Sequence, residues 1–113
     1  MSKSLNPSGK EFPEDIPEEL LIVLPQVKEI LEQTMLPKWE TIKDQFILFK
    51  IEEFANELKQ IAVDFNFSFL LEYTEIISES LENIDLETLR EALNDFPHII
   101  EDISRKIKNQ SND

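Results

Sequence analysis

The sequence predicts an all-α protein, an antiparallel bundle of four main helices with short helices delimited by proline. Apolar residues recur at helical spacing through successive stretches, and no stretch alternates between apolar and polar residues over a useful length. The 113 residues include one glycine and no cysteine, which suits a helical fold with few tight turns and excludes disulfides and thiolate metal sites. A chain of this length has room for one domain around one core.

The clearest helix of the sequence lies at residues 51–65. Its apolar residues fall on one face and are Phe54, Ala55, Leu58, Ile61, Ala62 and Phe65. This pattern predicts a central helix that is buried on one side. On the flank of that face, Glu52, Asn56, Lys59 and Val63 follow one another at spacings of four, three and four. We interpret them as a strip that faces a partner.

The chain before the central helix is divided by prolines. Residues 1–16 lack a periodic apolar pattern and are expected to form a disordered tether or linker. Pro17 suits the first turn of a helix, and we place the bundle domain at residues 17–109. Pro25 either kinks that helix or begins the next one. The stretch up to about residue 42 is expected to be a proline-interrupted antiparallel neighbour of the central helix.

The chain around and after the central helix carries several turn and capping signals. Residues 45–50 are too apolar for a free loop and are expected to tuck in where the central helix begins. Asn66 suits a left-handed turn residue, and Ser68 and Asp85 suit the caps of two further helices. Pro97 either interrupts the second of these or opens the next turn, and residues 110–113 are expected to fray.

The composition bounds the partners of the chain. A formal charge of −13 repels phosphate backbones and anionic lipids, so we expect no contact with nucleic acid or a membrane. No apolar run is long enough to cross a bilayer, and the N-terminus lacks the apolar core of a signal peptide. These features favour a cytoplasmic protein whose partners present basic surfaces.

The central helix resembles the histidine phosphotransfer (HPt) domains of bacterial two-component phosphorelays. That family carries the pattern Ala-His-x-Leu-Lys-Gly, and this chain has Ala-Asn-Glu-Leu-Lys-Gln at residues 55–60, followed by Ser-Leu-Glu at residues 80–82. The resemblance implies a four-helix bundle that lacks the phosphoacceptor histidine. Asn56 stands at the histidine position, Lys59 keeps the lysine that balances phosphoryl charge, and Gln60 replaces the glycine that gives a partner access.

The chain also has a Leu-Pro-rich beginning, a Pro-Lys-Trp step at residues 37–39 and an Asp-Phe-Pro run at residues 95–97. With these features its overall pattern resembles a helical module found after the receiver domain at the C-termini of bacterial hybrid sensor histidine kinases. Together the two resemblances imply a non-catalytic docking or regulatory module. Its partner would be a receiver or histidine kinase domain, in the same polypeptide or in another. The strip that contacts this partner comprises Glu52, Asn56, Lys59, Gln60 and Val63.

The sequence offers no other site of chemistry. His98 is the single histidine, and the carboxylates near it in sequence would oppose an incoming phosphoryl anion. One histidine cannot supply the two Glu-x-x-His pairs of a di-iron bundle, and the single glycine lies in the N-terminal tail, away from any calcium loop. We therefore predict no enzymatic activity, no metal and no cofactor.

A second interpretation is a structural or oligomerisation bundle unrelated to phosphorelay. Aromatic residues at helical spacing usually belong to the core. The apolar run that includes Phe46 and Phe49, with Trp39 nearby, is nevertheless the best candidate for an exposed patch. Such a patch would bind another domain or a second copy of the chain, giving a homodimer.

Overall fold

The structure, a computed structural model, describes residues 16–111, with side chains as far as residue 108. The described residues form helices and no strand, which confirms the predicted all-α bundle. The helices are α1 (Glu18–Ile30), a π-helical segment (Leu31–Met35), α2 (Leu36–Gln45), α3 (Leu48–Asp64), α4 (Ser68–Glu82), α5 (Leu86–Asn94) and α6 (Phe96–Ser111). The tether predicted at residues 1–16 lies outside the description except for Ile16, which packs against the core. Helix α6 continues to Ser111, past the predicted end of the bundle at residue 109.

The N-terminal half of the fold is one uninterrupted helical run from α1 to α2. Pro17 precedes the first turn, and its carbonyl oxygen accepts bonds from the N–H groups of Leu20 and Leu21. Pro25 lies inside α1 and neither ends it nor begins another helix, whereas Pro37 lies in the first turn of α2. The run widens into the π-helical segment directly before Pro37, which has no N–H to give to an α-helical bond.

Helix α3 is buried along one side, as its pattern predicts. Its main neighbour is α4, with which it forms a helical hairpin, while α2 makes a smaller contact. Helix α1 packs chiefly against α6, and α5 packs against α4. The proline-containing run is therefore a neighbour of α3, as the sequence indicates, although its contact is smaller than that of α4.

The turns on either side of α4 share one backbone motif. After α3, the N–H of Asn66 donates to the carbonyl of Val63, and the N–H of Phe67 donates to that of Ala62. The corresponding bonds after α4 are made by Ile84 to Leu81 and by Asp85 to Ser80. This is the Schellman motif, which requires a left-handed residue after the helix. Asn66 and Ile84 supply it, with φ of 55° and 53°.

The two predicted helix caps have different outcomes. Asp85 is the N-cap of α5, and its carboxylate accepts bonds from the backbone N–H and the hydroxyl of Thr88 at 3.3 and 2.8 Å. The prediction for Ser68 is wrong, because Ser68 is the first residue of α4 and Phe67 occupies the N-cap position. The backbone bonds of the preceding turn fix Phe67 there, and its side chain is buried.

An aromatic cluster joins four helices around the start of α6. The ring of Phe96 meets Phe54 of α3 edge to face at 5.3 Å between centroids and stacks on Tyr73 of α4 at 6.4 Å. Trp39 of α2 lies 6.2 Å from the same ring. All four side chains are buried, so the helices that bear them are held in one arrangement.

Two of these aromatic side chains also donate hydrogen bonds to the last turn of α5. The indole N–H of Trp39 donates to the carbonyl of Leu93, and the hydroxyl of Tyr73 donates to that of Ala92, both at 2.6 Å. An α-helical bond to Leu93 would come from residue 97, but Pro97 has no N–H. The indole N–H of Trp39 therefore bonds to the carbonyl of Leu93, which lacks the α-helical N–H donor at position 97.

The buried hydroxyl of Tyr73 provides a test of this anchoring. Burial, and to a smaller extent the charge of Asp95, raises the pKa of Tyr73 well above its usual value of 10.0, so the phenol stays a donor. We expect Tyr73→Phe to lower the free energy of unfolding by about 1 kcal/mol, because one buried hydrogen bond is lost while the ring packing remains. Urea denaturation measures the change. Thr41→Val removes an exposed hydroxyl bond to a backbone carbonyl and is the control; an equal loss in both variants would contradict the anchoring role.

The left-handed residue after α4 provides a second test. Ile84 is branched at Cβ, exposed and held at φ 53°, a conformation that is unfavourable for such a side chain. We expect Ile84→Gly to raise the free energy of unfolding by about 0.5–1 kcal/mol, because glycine adopts this conformation without steric cost. Ile84→Ala removes the same side chain but keeps Cβ, so it should gain less. An alanine variant that is more stable than the glycine variant would contradict this account.

Candidate functional site

The strip predicted on α3 lies on the solvent side of that helix. Its residues, Glu52, Asn56, Lys59, Gln60 and Val63, are all exposed. The opposite side of α3 faces the core with Ile51, Phe54, Ala55, Leu58 and Ala62. Because α3 is one regular helix, the five strip residues share a continuous surface.

Part of the strip forms one wall of a groove between α3 and α4. The groove has a volume of about 430 Å³ and is lined by Leu48, Phe49, Glu52, Asn56, Ser78, Leu81 and Glu82. Glu52 and Asn56 are the strip residues that line it, whereas Lys59, Gln60 and Val63 continue along α3 beyond it. Of the Ser-Leu-Glu run at residues 80–82, Leu81 and Glu82 line the groove and Ser80 is buried.

Among the residues that line the groove, Ser78 on the α4 wall and Phe49 on α3 were not predicted as part of the strip. Phe49 precedes Glu52 by three residues, so it extends the face formed by Glu52, Asn56, Lys59 and Val63 by one turn. That spacing was present in the sequence and could have identified it. Ser78 could not be found in this way, because its position depends on how α4 packs against α3.

The polar groups of the strip are suited to binding and lack a nucleophile. The amide of Asn56 is neutral and can both donate and accept hydrogen bonds. The amide of Gln60 donates to the carboxylate of Asp64 at 3.0 Å. Lys59 forms no ion pair with the described residues, so its ammonium group is available at the surface. No histidine lines the groove, and Ser78 therefore has no imidazole base there.

The predicted apolar patch of Trp39, Phe46 and Phe49 does not exist as a unit. Trp39 is buried and hydrogen-bonded within the core, which corrects its assignment to an exposed patch. Phe46 is half-buried, and the guanidinium of Arg90 covers its ring at 4.2 Å from the centroid. Phe49 remains exposed, at 59% of its surface. The prediction that residues 45–50 tuck in thus holds for Phe46 and not for Phe49.

A smaller cleft of about 240 Å³ lies between α2 and α3. It is lined by Lys38, Thr41, Ile42, Lys50, Glu53, Phe54 and Glu57. Lys38 forms an ion pair with Glu57 across it. The two lysines and two glutamates of this cleft balance one another, so it has no preference for ligands of one charge.

The single histidine lies at the surface of α6, away from the groove. The side chain of His98 is 63% exposed, and its Nδ1 lies 3.9 Å from a carboxylate oxygen of Glu101. Burial raises the pKa of the neighbouring Asp95 above its usual value of 3.8; His98 opposes this shift, and Asp102 and Glu91 add to it. In the described part of the chain, no three histidine or carboxylate side chains are grouped as a metal site would require.

Comparisons with protein-family models, curated proteins and solved structures found no match to this chain. Across residues 16–111, no helix combines the length and the apolar character needed to cross a bilayer.

The raised pKa of Asp95 predicts a pH-dependent effect on stability. The folded state holds the Asp95 proton more tightly than the unfolded state, so ionising this carboxyl destabilises the fold as the pH rises above 3.8. We expect Asp95→Asn to be more stable than the wild type at pH 7, with the advantage shrinking as the pH falls towards 3.8. Urea denaturation at several pH values measures it, and Asp44→Asn is the exposed control. An advantage that grows in acid would contradict this prediction.

Proposed function

We propose that this chain is a non-catalytic, HPt-like docking or regulatory module of a two-component signalling protein of the hybrid histidine kinase type. It binds a receiver or histidine kinase domain through the α3 strip and does not accept phosphate. The observation that carries the proposal is the exposure of the whole strip on the longest helix, beside the groove formed with α4.

The side chains of the strip support binding without phosphotransfer. An HPt domain needs a nucleophilic imidazole nitrogen at the position that Asn56 occupies, and an amide nitrogen is neither basic nor nucleophilic. Gln60 fills the place where the family has glycine, and its side chain is held by Asp64. Lys59 retains a cation that can pair with an acidic group of a partner.

The strip ends at the apolar Val63, and Phe49 lies one turn before its other end, so both can provide apolar contacts for a partner. Phe49 and Val63 are exposed over 59% and 54% of their surfaces, and they lie fourteen residues apart on one face of α3. This separation corresponds to about 21 Å along the helix, which is a suitable length for a protein interface. Polar residues between two apolar contacts add to the affinity of such an interface and fix the alignment of the partner.

The alternative of an oligomerisation bundle has less support. Of the three aromatic residues assigned to its patch, Phe49 alone is exposed. A single exposed phenylalanine is common on protein surfaces and does not by itself define a dimer interface.

Binding to signalling domains tests the proposal. Receiver and kinase domains of two-component proteins from the same organism are titrated into the isotopically labelled chain, and we expect amide signals of α3 to shift with at least one of them. Lys59→Glu should weaken that binding about tenfold, because it reverses a charge inside the strip. Lys50→Glu makes the same change on α3 on the side facing α2 and should have little effect.

Phosphate transfer is followed in the same mixtures with a receiver that carries radiolabelled phosphate. No stable label should appear on this chain. The proposal fails if no receiver or kinase domain binds, or if stable label appears; loss of that label in His98→Ala would assign phosphotransfer to His98.

A further inference from the structure

The groove between α3 and α4 combines an apolar surface with acidic walls. Phe49 and Leu81 contribute its apolar side chains, together with Leu48. Glu52 stands on the α3 wall and Glu82 on the α4 wall, and no lysine or arginine lines the groove. An occupant must therefore cover apolar carbon and neutralise two carboxylates.

The backbone of the groove favours an occupant that binds through side chains. Glu52, Asn56 and Ser78 lie inside regular helices, where the N–H and C=O groups bond along the helix. No strand edge occurs in the described range, so an extended peptide has no backbone ladder to join. An amphipathic helix, which presents apolar side chains at one face, is the recognition element that suits such a groove.

The acidic charge of the chain indicates which kind of amphipathic helix the groove would bind. Helix α4 carries four glutamates and neither lysine nor arginine, and the whole chain has a formal charge of −13. This field attracts a basic segment and repels an acidic one. A second copy of this chain is disfavoured, because a two-fold contact through this groove would bring four carboxylates, Glu52 and Glu82 of each copy, into one interface.

We propose that the groove binds a basic amphipathic helix of the partner protein. Its apolar residues, spaced three and four apart, cover Phe49 and Leu81, and its lysine or arginine side chains pair with Glu52 and Glu82. This inference rests on the proposed docking function and names the element of the partner that enters the site.

A synthetic peptide is the probe. The peptide has about 18 residues, or about 27 Å of helix, with leucines on one face and lysines elsewhere. Titrated into the isotopically labelled chain, it should shift amide signals of Glu52, Asn56, Ser78 and Leu81. Two control peptides, one with glutamate in place of every lysine and one with the same composition in scrambled order, should leave these signals unchanged.

Variants of the chain distinguish binding of the peptide in the groove from nonspecific attraction between the basic peptide and the acidic chain. The double variant Glu52→Gln and Glu82→Gln should weaken peptide binding about tenfold, and Phe49→Ala should weaken it by a similar factor. The control Glu53→Gln and Glu40→Gln removes the same charge from exposed positions outside the groove, and it should weaken binding less than about threefold. Equal effects of the two double variants, or equal binding of the scrambled peptide, would overturn the inference.

The same variants distinguish this inference from the proposed function. If a receiver or kinase domain binds and only Lys59→Glu weakens it, the docking function stands and the groove inference fails. If the basic peptide binds in the groove and no signalling domain does, the groove inference stands for another partner and the proposed function fails. Self-association on sedimentation that Phe49→Ala abolishes would overturn the groove inference in favour of a second copy.

Discussion

The junction between α5 and α6 fixes the arrangement of the other helices. Phe96 lies at this junction against Trp39, Phe54 and Tyr73, so α2, α3 and α4 all meet the start of α6. The indole of Trp39 and the phenol of Tyr73 also donate hydrogen bonds to carbonyls at the end of α5. These bonds fix the orientation of the contact, which apolar packing alone would leave less specific. Since α3 is held through Phe54 on this side, its other side faces solvent.

This arrangement separates the residues that stabilise the fold from those of the candidate site. Helix α3 is buried along one side, while Asn56, Lys59 and Val63 are exposed on the other. Substitutions at these positions leave no cavity and break no buried hydrogen bond, so their effect on stability should be small. The strip residues can therefore vary in chemistry while the helix beneath them keeps its shape.

Local signals in the sequence were sufficient where a side chain itself favours the conformation, and they gave no indication of the left-handed Ile84. Asp85 as an N-cap and Asn66 as a left-handed residue could be predicted because their side chains act on the adjacent backbone. The sequence alone could not exclude Ser68 as the N-cap of α4, because the preceding Schellman turn decides that Phe67 occupies this position. The helical spacing of Trp39 favours a core position, but its hydrogen bond to Leu93, 54 residues away, is a contact that no local pattern contains.

The electrostatics of the groove support the proposed docking without phosphate transfer. In an HPt domain, the surface around the acceptor position must admit a doubly charged phosphoryl group. Here Glu52 precedes Asn56 by one turn of α3, and Glu82 faces the groove from α4, while Lys59 is the one cation of the strip. Two carboxylates beside one ammonium disfavour a phosphoryl anion and favour a cationic side chain. In the proposed docking module, the amide of Asn56 and the neighbouring carboxylates would act in the same direction, because both permit protein contact and oppose phosphate transfer.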